Sequence, residues 1–374
     1  MRTGQRSPSI FGNDSTAGRV HGTVRTLARS IVACLLALAL AGCSPAPSAT
    51  PAETPNATPT EGPAAPTTPL PTETNPPEPS IGPELTLHDL DASFAYAVCQ
   101  ALQCDVHVID SNGVDTNVTN TPEAGAEEHQ PVFSPDGRRV TFRCPHVVGQ
   151  DLFENANDDI CVANVDGSHR RDLTNNQVAD YSSGWSPDGK WIAFASSRGT
   201  GPDLANDIYV MAPDGSHVRR VTESVGIDEY PVWAPNGLRI AYSCTAGGMH
   251  PTGVGDFEAC VVTADGSDRR RITDTPGICH PLNWSPDSST LVVGCDPDGN
   301  GPLFDDLYLV GAGGGPMTRL TWTVGFGAKF TPDGESVIYK DLQGALWRLA
   351  LDRSVRSPIQ VPHVEADWDI HFGG

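Results

Sequence analysis

Short runs in which apolar and polar residues alternate fill the chain from about residue 90 onward, separated by turn sequences rich in Pro, Asp and Gly. Alternation of this kind predicts strands that bury one face, and the turn residues between them predict antiparallel hairpins. One repeat shows the order clearly, with strand patterns at residues 181–186, 191–194, 207–211 and 218–222. The chain is therefore predicted to be all-β, with four strands in each repeat.

One phrase recurs five times: an aromatic residue, a small polar residue, Pro-Asp-Gly or a close variant, and then an apolar strand. The copies begin at Phe133, Trp185, Trp233, Trp284 and Phe330. These aromatic residues are 52, 48, 51 and 46 residues apart, which is the period of a propeller blade and not of a helical repeat. Asp-Gly pairs at 166–167, 214–215 and 265–266 add hairpin signals within the same units. Antiparallel units repeated radially form a β-propeller.

The two ends of the chain set the predicted number of blades. Residues 366–372 resemble a sixth first strand, whereas residues 94–99, 105–110 and 114–119 match a second, a third and a fourth strand. We predict that the C-terminal strand completes a blade with the three N-terminal strands, because such closure removes the exposed edges of an open ring. Residues 84–374 then form a six-bladed propeller, and seven blades would leave too few residues for each.

Eight of the ten cysteines occupy repeated positions in these blades, at the mouth of one hairpin or beside it. Antiparallel neighbours at such positions bring Cα atoms within disulfide range. The predicted pairs are Cys99–Cys104, Cys144–Cys161, Cys244–Cys260 and Cys279–Cys295. Four disulfides indicate an oxidising, extracytoplasmic compartment. Zinc binding is the alternative interpretation, and the lack of a C-x-x-C pair argues against it.

The N-terminus is predicted to be a bacterial lipoprotein signal, residues 1–42. Arg25 and Arg29 precede an apolar run at 30–39 that is short for a membrane span. The run ends in Leu-Ala-Gly-Cys, which resembles a lipobox and makes Cys43 the predicted lipidation site. An ordinary secretory signal is the alternative. The expected location is the outer face of the bacterial cytoplasmic membrane, the periplasm or the outer membrane.

Residues 44–83 contain 13 Pro and 8 Thr and few large apolar side chains. Such a segment cannot bury enough surface to offset its chain entropy. We predict that residues 43–83 form a lipidated, disordered tether that could extend up to ~120 Å. A generic unstructured leader is the alternative.

The charge of the chain excludes nucleic acid as a partner. Removal of residues 1–42 takes away five Arg and one Asp, which leaves 19 basic and 45 acidic residues and a net charge of −26. Phosphate binding needs cations, and the chain has only three Lys. A cationic partner or divalent ions would be attracted, although solubility of an exported protein explains the same charge.

The repeats resemble the TolB-type β-propeller family, through the W-S-P-D-G phrase from Trp185 and the D-I-Y-V-M-x-x-D-G-S phrase from Asp207 to Ser216. The resemblance covers residues ~90–374 and implies a propeller fold and export. It also implies, more weakly, a role in an envelope complex of the Tol–Pal type. The Tol-system protein carries an α/β domain before its propeller, whereas here the lipobox and the tether occupy that position.

The long connections are predicted to share one face of the propeller, opposite the short Pro-Asp-Gly and Asp-Gly turns. These connections are 145–158, 198–206, 245–258 and 296–305. Binding residues concentrate in variable loops on a rigid scaffold, so this face is the candidate for function. The residues just before each first strand would form an acidic rim around the channel mouth: Glu128, His129, Asp180, Tyr181, Asp228, Glu229, Tyr230, His280 and Asp367. A site for a cationic or hydrogen-bonding ligand and a merely solvated rim both fit this pattern.

Residues Asp296, Asp298 and Asn300 resemble the start of a calcium loop. The twelfth position holds Leu307 where a bidentate Glu is required, so calcium is a minor alternative and no cofactor is expected.

Enzyme motifs are absent from the sequence: it contains no G-x-S-x-G and no H-E-x-x-H. Lyases with TolB-like propellers hold a metal with several His, and by that resemblance His129, His280 and His250 keep a metal-dependent polysaccharide lyase as the alternative. The favoured hypothesis is a monomeric, non-enzymatic binding propeller for an envelope protein or peptide.

Overall fold

The computed structural model describes residues 77–100, 103–121, 127–145, 158–199, 206–224, 226–249, 255–275, 277–296, 306–322, 325–361 and 368–373. The predicted lipidation site Cys43, its signal sequence and most of the tether lie outside these ranges. Within them, no helix has both the length and the apolar character that a membrane crossing requires.

Four blades follow one another along the chain, each a four-stranded antiparallel sheet whose strands pair in sequence order. Blade 1 contains β6 (His129–Phe133), β7 (Arg139–Pro145), β8 (Asp158–Asn164) and β9 (Arg171–Asp172). Blade 2 contains β10 (Asp180–Trp185), β11 (Ile192–Ser196), β12 (Asp207–Met211) and β13 (Arg219–Arg220). Blade 3 contains β14 (Asp228–Trp233), β15 (Arg239–Met249), β16 (Gly255–Thr263) and β17 (Arg269–Arg271). Blade 4 contains β18 (Ile278–Trp284), β19 (Thr290–Asp296), β20 (Asp306–Gly311) and β21 (Thr318–Arg319).

Blades 5 and 6 involve the two ends of the chain. Blade 5 contains β22 (Gly325–Phe330), β23 (Ser336–Asp341), β24 (Leu346–Ala350) and β25 (Val355–Gln360). Blade 6 has the order β26 (Trp368–Phe372), β3 (Ala92–Gln100), β4 (Gln103–Ile109) and β5 (Asp115–Asn117). The C-terminal strand pairs antiparallel with β3, from Trp368 opposite Tyr96 to Phe372 opposite Ala92. This is the pairing expected from the sequence, and the fold is a six-bladed β-propeller.

The first strand of each blade is the innermost. The Phe133 amide of blade 1 donates to the Asp369 carboxylate of blade 6, and the Ser182 amide of blade 2 donates to Gln130 of blade 1. Between blades 2 and 3 the backbones meet at Gly184, where a Cβ would lie 2.6 Å from the Pro231 carbonyl oxygen. Neighbouring first strands therefore line the channel, and the approach at Gly184 excludes any side chain.

Six hydrophobic clusters account for the core, and each lies between two neighbouring blades. Trp185 of blade 2 packs with Ile160 and Val162 of blade 1, and its indole N–H donates to the Thr141 hydroxyl at 3.2 Å. The Trp284 indole of blade 4 donates to the Val232 carbonyl of blade 3 at 3.0 Å. The aromatic residue of the repeated phrase therefore packs between blades.

The small polar residue of the same phrase organises the turn that follows. The Ser186 hydroxyl donates to the Asp188 carboxylate at 2.7 Å and accepts from the Trp191 amide at 2.9 Å. Ser134, Ser285 and Thr331 make the same pair of bonds in their blades. These hydrogen bonds lower the pKa of Asp188 and its counterparts. The turn is thus built from its own side chains.

An acidic residue at the start of the third strand and a Thr just after the fourth strand form what we call the clasp. In blade 2, Thr222 Oγ1 accepts from the Ile208 amide at 2.9 Å and donates to Asp207 at 3.4 Å. Asp207 also accepts from the Ser224 amide at 3.1 Å, in the segment leading to blade 3. Equivalent clasps join Asp105 with Thr119, Asp159 with Thr174, and Glu258 with Thr273. The clasp therefore fixes the connection between blades.

The four disulfides are the four pairs predicted from the sequence: Cys99–Cys104, Cys144–Cys161, Cys244–Cys260 and Cys279–Cys295. Their Cα atoms lie 4.0–5.9 Å apart. Each links strands of a single blade, so the ring itself closes without a covalent bond between blades.

The segment before blade 6 adds strands that the sequence pattern did not reveal. β1 (Ser80–Ile81) and β2 (Leu85–Thr86) pair in parallel with β25 of blade 5, and the short helix α1 (Leu87–Leu90) follows. The Ser80 amide and hydroxyl both donate to the Ser354 carbonyl, in the turn between β24 and β25. The chain therefore joins the propeller at the outer edge of blade 5, on the side of the short turns.

Replacement of a clasp threonine should destabilise the protein. In Thr222→Val the buried Ile208 amide loses its hydroxyl acceptor, which costs about 1–3 kcal/mol of unfolding free energy. Urea unfolding followed by tryptophan fluorescence measures the change. The matched control is Thr318→Val on β21, whose side chain is exposed, with a change within about 0.5 kcal/mol. Equal stabilities of the two variants would contradict a structural role for the clasp.

Candidate functional site

The long connections lie at one end of the blades, which we call the long-loop face. In each of blades 1–4 the start of the first strand is level with the end of the second and the start of the third, as at Asp180, Ser196 and Asp207. The position of the long connections on one face therefore agrees with the prediction from the sequence. The connection at 245–258 differs, because β15 and β16 continue their pairing to Met249 opposite Gly255. It is a hairpin, where an irregular loop was predicted.

Three acidic residues of the predicted rim are buried in their blades. Glu128, Asp180 and Asp228 have no exposed surface. Each pairs with an arginine: Arg170 with Glu128, Arg198 with Asp180 at 2.5 Å, and Arg269 with Asp228 at 3.0 Å. The expectation that these carboxylates would face the channel mouth is therefore corrected, because each charge is compensated inside its blade.

The next residue of each first strand occupies an equivalent position, and those of blades 2–4 form the site. These positions hold His129, Tyr181, Glu229 and His280 in blades 1–4. The Tyr181 hydroxyl of blade 2 donates to the Glu229 carboxylate of blade 3 and accepts from the Asn206 side-chain amide. Tyr230 meets the His280 ring of blade 4 edge-on, with centroids 5.9 Å apart. The structure thus brings together the predicted residues of blades 2, 3 and 4.

Glu229 is the electrostatically unusual member of the site. Burial raises the pKa of its carboxyl to about 7, opposed by the Tyr181 hydrogen bond and reinforced by the Asp228 charge. Burial also raises the pKa of Tyr181 well above its ordinary value, and Glu229 adds to this effect. A carboxyl with a pKa near neutrality exchanges its proton readily at physiological pH.

His280 forms the second part of the site. Its Nδ1 lies 2.7 Å from the Ser243 hydroxyl of β15, and the Phe257 ring of β16 packs 5.3 Å from the imidazole centroid. Burial lowers the pKa of His280 to about 4. The imidazole is therefore neutral at physiological pH and presents an uncharged surface that can form hydrogen bonds.

Metal ligation by the predicted histidines finds limited support in the described part of the chain. There, one group places three metal-ligand atoms within 4.8 Å of one another, and it consists of Cys99, Cys104 and His129. Its two cysteines form a disulfide. Asp296, the predicted first calcium ligand, is buried at the end of β19. Asp298, Asn300, His250 and Asp367 lie outside the described residues.

Four residues of the site had no signal in the repeated phrase. Arg143 acts on the Tyr181 hydroxyl from blade 1. Asn206 contacts the site from just before β12, and Ser243 and Phe257 contact it from β15 and β16. Arg143 itself is paired with Asp158 across β7 and β8. A search for polar or aromatic residues flanking the long connections would have found them.

The raised pKa of Glu229 predicts a stability difference that depends on pH. The folded protein holds this proton up to about pH 7, whereas an unfolded Glu loses it near pH 4.5. The contribution of Glu229 protonation to the free energy of unfolding is therefore fully present below pH 4.5, and it is lost as the pH rises to 7. Glu229→Gln should match the wild type at pH 4.5 and exceed it by roughly 1–3 kcal/mol at pH 8 in urea unfolding. The control Glu223→Gln alters a side chain that is 87% exposed. A difference for Glu229→Gln that is constant with pH would refute the assignment.

Comparisons with known proteins place the fold. No protein-family model matches this chain, and no curated protein matches it. Among solved structures, TolB from Acinetobacter baumannii has a TM-score of 0.58 at 18% identity, over 75% of this chain and 67% of that one. Hydrazine synthase from Kuenenia stuttgartiensis has a TM-score of 0.54 at 16% identity, over 79% of this chain and 50% of that one.

An oligogalacturonate lyase in complex with manganese has a TM-score of 0.51 at 12% identity, over 75% of this chain and 76% of that one. The three proteins differ in activity, as is usual for a widely used fold. At such identities the likeness concerns architecture. The chain has the six-bladed β-propeller fold of the TolB type.

Proposed function

We propose that this chain is a non-enzymatic binding propeller of the bacterial cell envelope, and that its long-loop face binds a segment of an envelope protein that carries a basic group. The observation that carries the proposal is the half-buried Glu229 carboxyl, whose pKa is raised and which is hydrogen-bonded to Tyr181 where blades 2 and 3 meet.

The charge on Glu229 is poorly compensated. Its carboxyl is influenced by burial, by the Tyr181 hydroxyl and by the negative Asp228, so an ammonium or guanidinium group would supply the favourable charge that is needed. Such a group would lower the pKa of Glu229 and release its proton. Tyr230, which is 43% exposed, acts on the Tyr181 hydroxyl and offers an aromatic ring beside His280, suited to a cation or a peptide side chain.

Export and anchoring complete the proposal. Four disulfides favour an oxidising compartment, and the TolB-type architecture occurs in the TolB structure named above. The sequence at 40–43 supports lipidation of Cys43. β1, the first described strand, joins blade 5 beside the turn at Ser354 and so lies away from the long-loop face.

A second candidate is a metal-dependent polysaccharide lyase, which the manganese-bound lyase structure favours as a fold relative. Against it, His280 Nδ1 is engaged with Ser243, and His129 is grouped with two disulfide-bonded cysteines.

Lipidation is tested by Cys43→Ser in bacterial cells. The wild type should fractionate with membranes and incorporate labelled fatty acid, whereas Cys43→Ser should lose the label and the membrane association. Cys34→Ser, in the preceding apolar run, is the matched control and should keep both. A labelled Cys43→Ser protein would contradict the assignment.

Partner binding is tested by crosslinking the lipidated protein in membranes, followed by identification of captured envelope proteins. Glu229→Gln and Tyr230→Ala should each reduce a specific crosslink at least tenfold. Leu238→Ala changes a residue 65% exposed on the short-turn side and should leave the crosslink unchanged. Equal capture by all variants would contradict binding at this site. Manganese-dependent cleavage of oligogalacturonate that is lost in His280→Ala would instead establish the lyase.

A further inference from the structure

One of the four disulfides differs from the other three in accessibility. Cys99 is exposed, whereas the other seven paired cysteines are buried, with at most 5% of their surface accessible. The exposure of Cys99 makes the Cys99–Cys104 disulfide the most open of the four to a soluble dithiol in the folded protein. Reduction of the other three disulfides requires at least local opening of a blade.

The same disulfide lies beside a metal-binding side chain. Cys99 and Cys104 face each other across β3 and β4, and the Glu128 amide donates to the Cys104 carbonyl at 3.2 Å. This contact holds the start of β6 against the hairpin and places the next residue, His129, next to the sulfurs. The two Sγ atoms and one imidazole nitrogen lie within 4.8 Å of one another.

We propose that reduction converts Cys99, Cys104 and His129 into a binding site for Zn²⁺. The inference is independent of the partner-binding function proposed above, since it concerns blade 6 and the first residue of blade 1. It assigns a role to His129, which the site around Glu229 does not include.

The redox step needs a dithiol reductant, of the kind that thiol–disulfide oxidoreductases carry. A thiolate of the dithiol attacks the exposed Cys99 sulfur, the Cys99–Cys104 bond breaks, and a mixed disulfide forms. The second thiol of the reductant then displaces Cys99. The reductant leaves as a disulfide, and the two protein sulfurs gain two electrons and two protons. Zinc binding afterwards releases both protons, because thiolates are the ligands.

The geometry suits a tetrahedral zinc ion with an open position. Zinc binds thiolates at ~2.3 Å and imidazole at ~2.0 Å, so its ligand atoms lie roughly 3.3–3.8 Å apart. Reduction lets the two sulfurs separate to that distance, and His129 needs to approach by about 1 Å. The backbone changes little, because β3 and β4 stay paired from Phe94 opposite Ile109 onward. Three protein ligands leave the fourth position to water or to a ligand of the long-loop face.

The first experiment establishes selective reduction. The exported protein is treated with dithiothreitol under native conditions, alkylated and mapped by mass spectrometry. The expected result is two labelled cysteines, Cys99 and Cys104, while the other three pairs stay intact. Labelling of all eight at similar rates, or of none, would overturn the proposal.

The second experiment measures metal binding after removal of the dithiol without oxygen. Titration with Co²⁺ should give one equivalent bound with the thiolate charge-transfer and tetrahedral ligand-field bands, and Zn²⁺ should displace it. The oxidised protein should show neither band. Absence of these bands in the reduced protein would overturn the site.

Variants test the contributions of the histidine and of the two thiols to zinc binding separately. His129→Ala should weaken Zn²⁺ binding by at least tenfold and change the Co²⁺ spectrum. The matched control His107→Ala alters a histidine of blade 6 that is paired with Asp115, and this variant should bind zinc like the wild type. Cys99→Ser/Cys104→Ser should bind no Co²⁺ at stoichiometric concentration. An unchanged affinity in His129→Ala would exclude it as a ligand.

Discussion

No blade of this propeller can bury its apolar surface alone, because each hydrophobic cluster in the described part of the chain is shared between two neighbouring blades. An isolated blade would expose both faces to water, and a ring of five would leave two open faces. The pairing of β26 with β3 is therefore essential to stability: it completes blade 6, whose two sides cover blades 5 and 1. The pairing of β26, the last strand, with β3 therefore closes the ring and covers the open faces of both neighbouring blades.

The closed ring also determines where chemistry can occur. The connections between blades cross the long-loop end, where the carboxylates of the clasps accept hydrogen bonds from the backbone amides of these connections. The acids that begin the first strands are neutralised by arginines of the same blade. The polar groups closest to the connections are thus used for structure. The following position, which holds Tyr181, Glu229 and His280, is where side chains of different blades meet.

The sequence predicted the architecture well because the relevant signals are local and repeated. Aromatic spacing gave the blades, alternation gave the strands, and the hairpin positions of the cysteines gave all four disulfides. The parallel strands β1 and β2 escaped prediction, since each has two residues and no alternating pattern. The buried state of Asp180 and Asp228 also escaped it. Their partners Arg198 and Arg269 lie 18 and 41 residues away, and a repeat pattern contains no information on such pairing.

The two acids of blade 3 show how neighbouring carboxyls acquire different properties. Asp228 and Glu229 are adjacent in sequence, and burial raises the pKa of both, to about 6 and about 7. Strand alternation sends them to opposite faces of β14, so Asp228 meets Arg269 within blade 3 while Glu229 meets Tyr181 of blade 2. Arg269 limits the rise in the pKa of Asp228, whereas Tyr181 gives Glu229 a hydrogen bond but no positive charge. Among the described residues, the groups that shift the pKa of Glu229 include no cation, whereas Arg269 acts on Asp228, and strand geometry accounts for this difference.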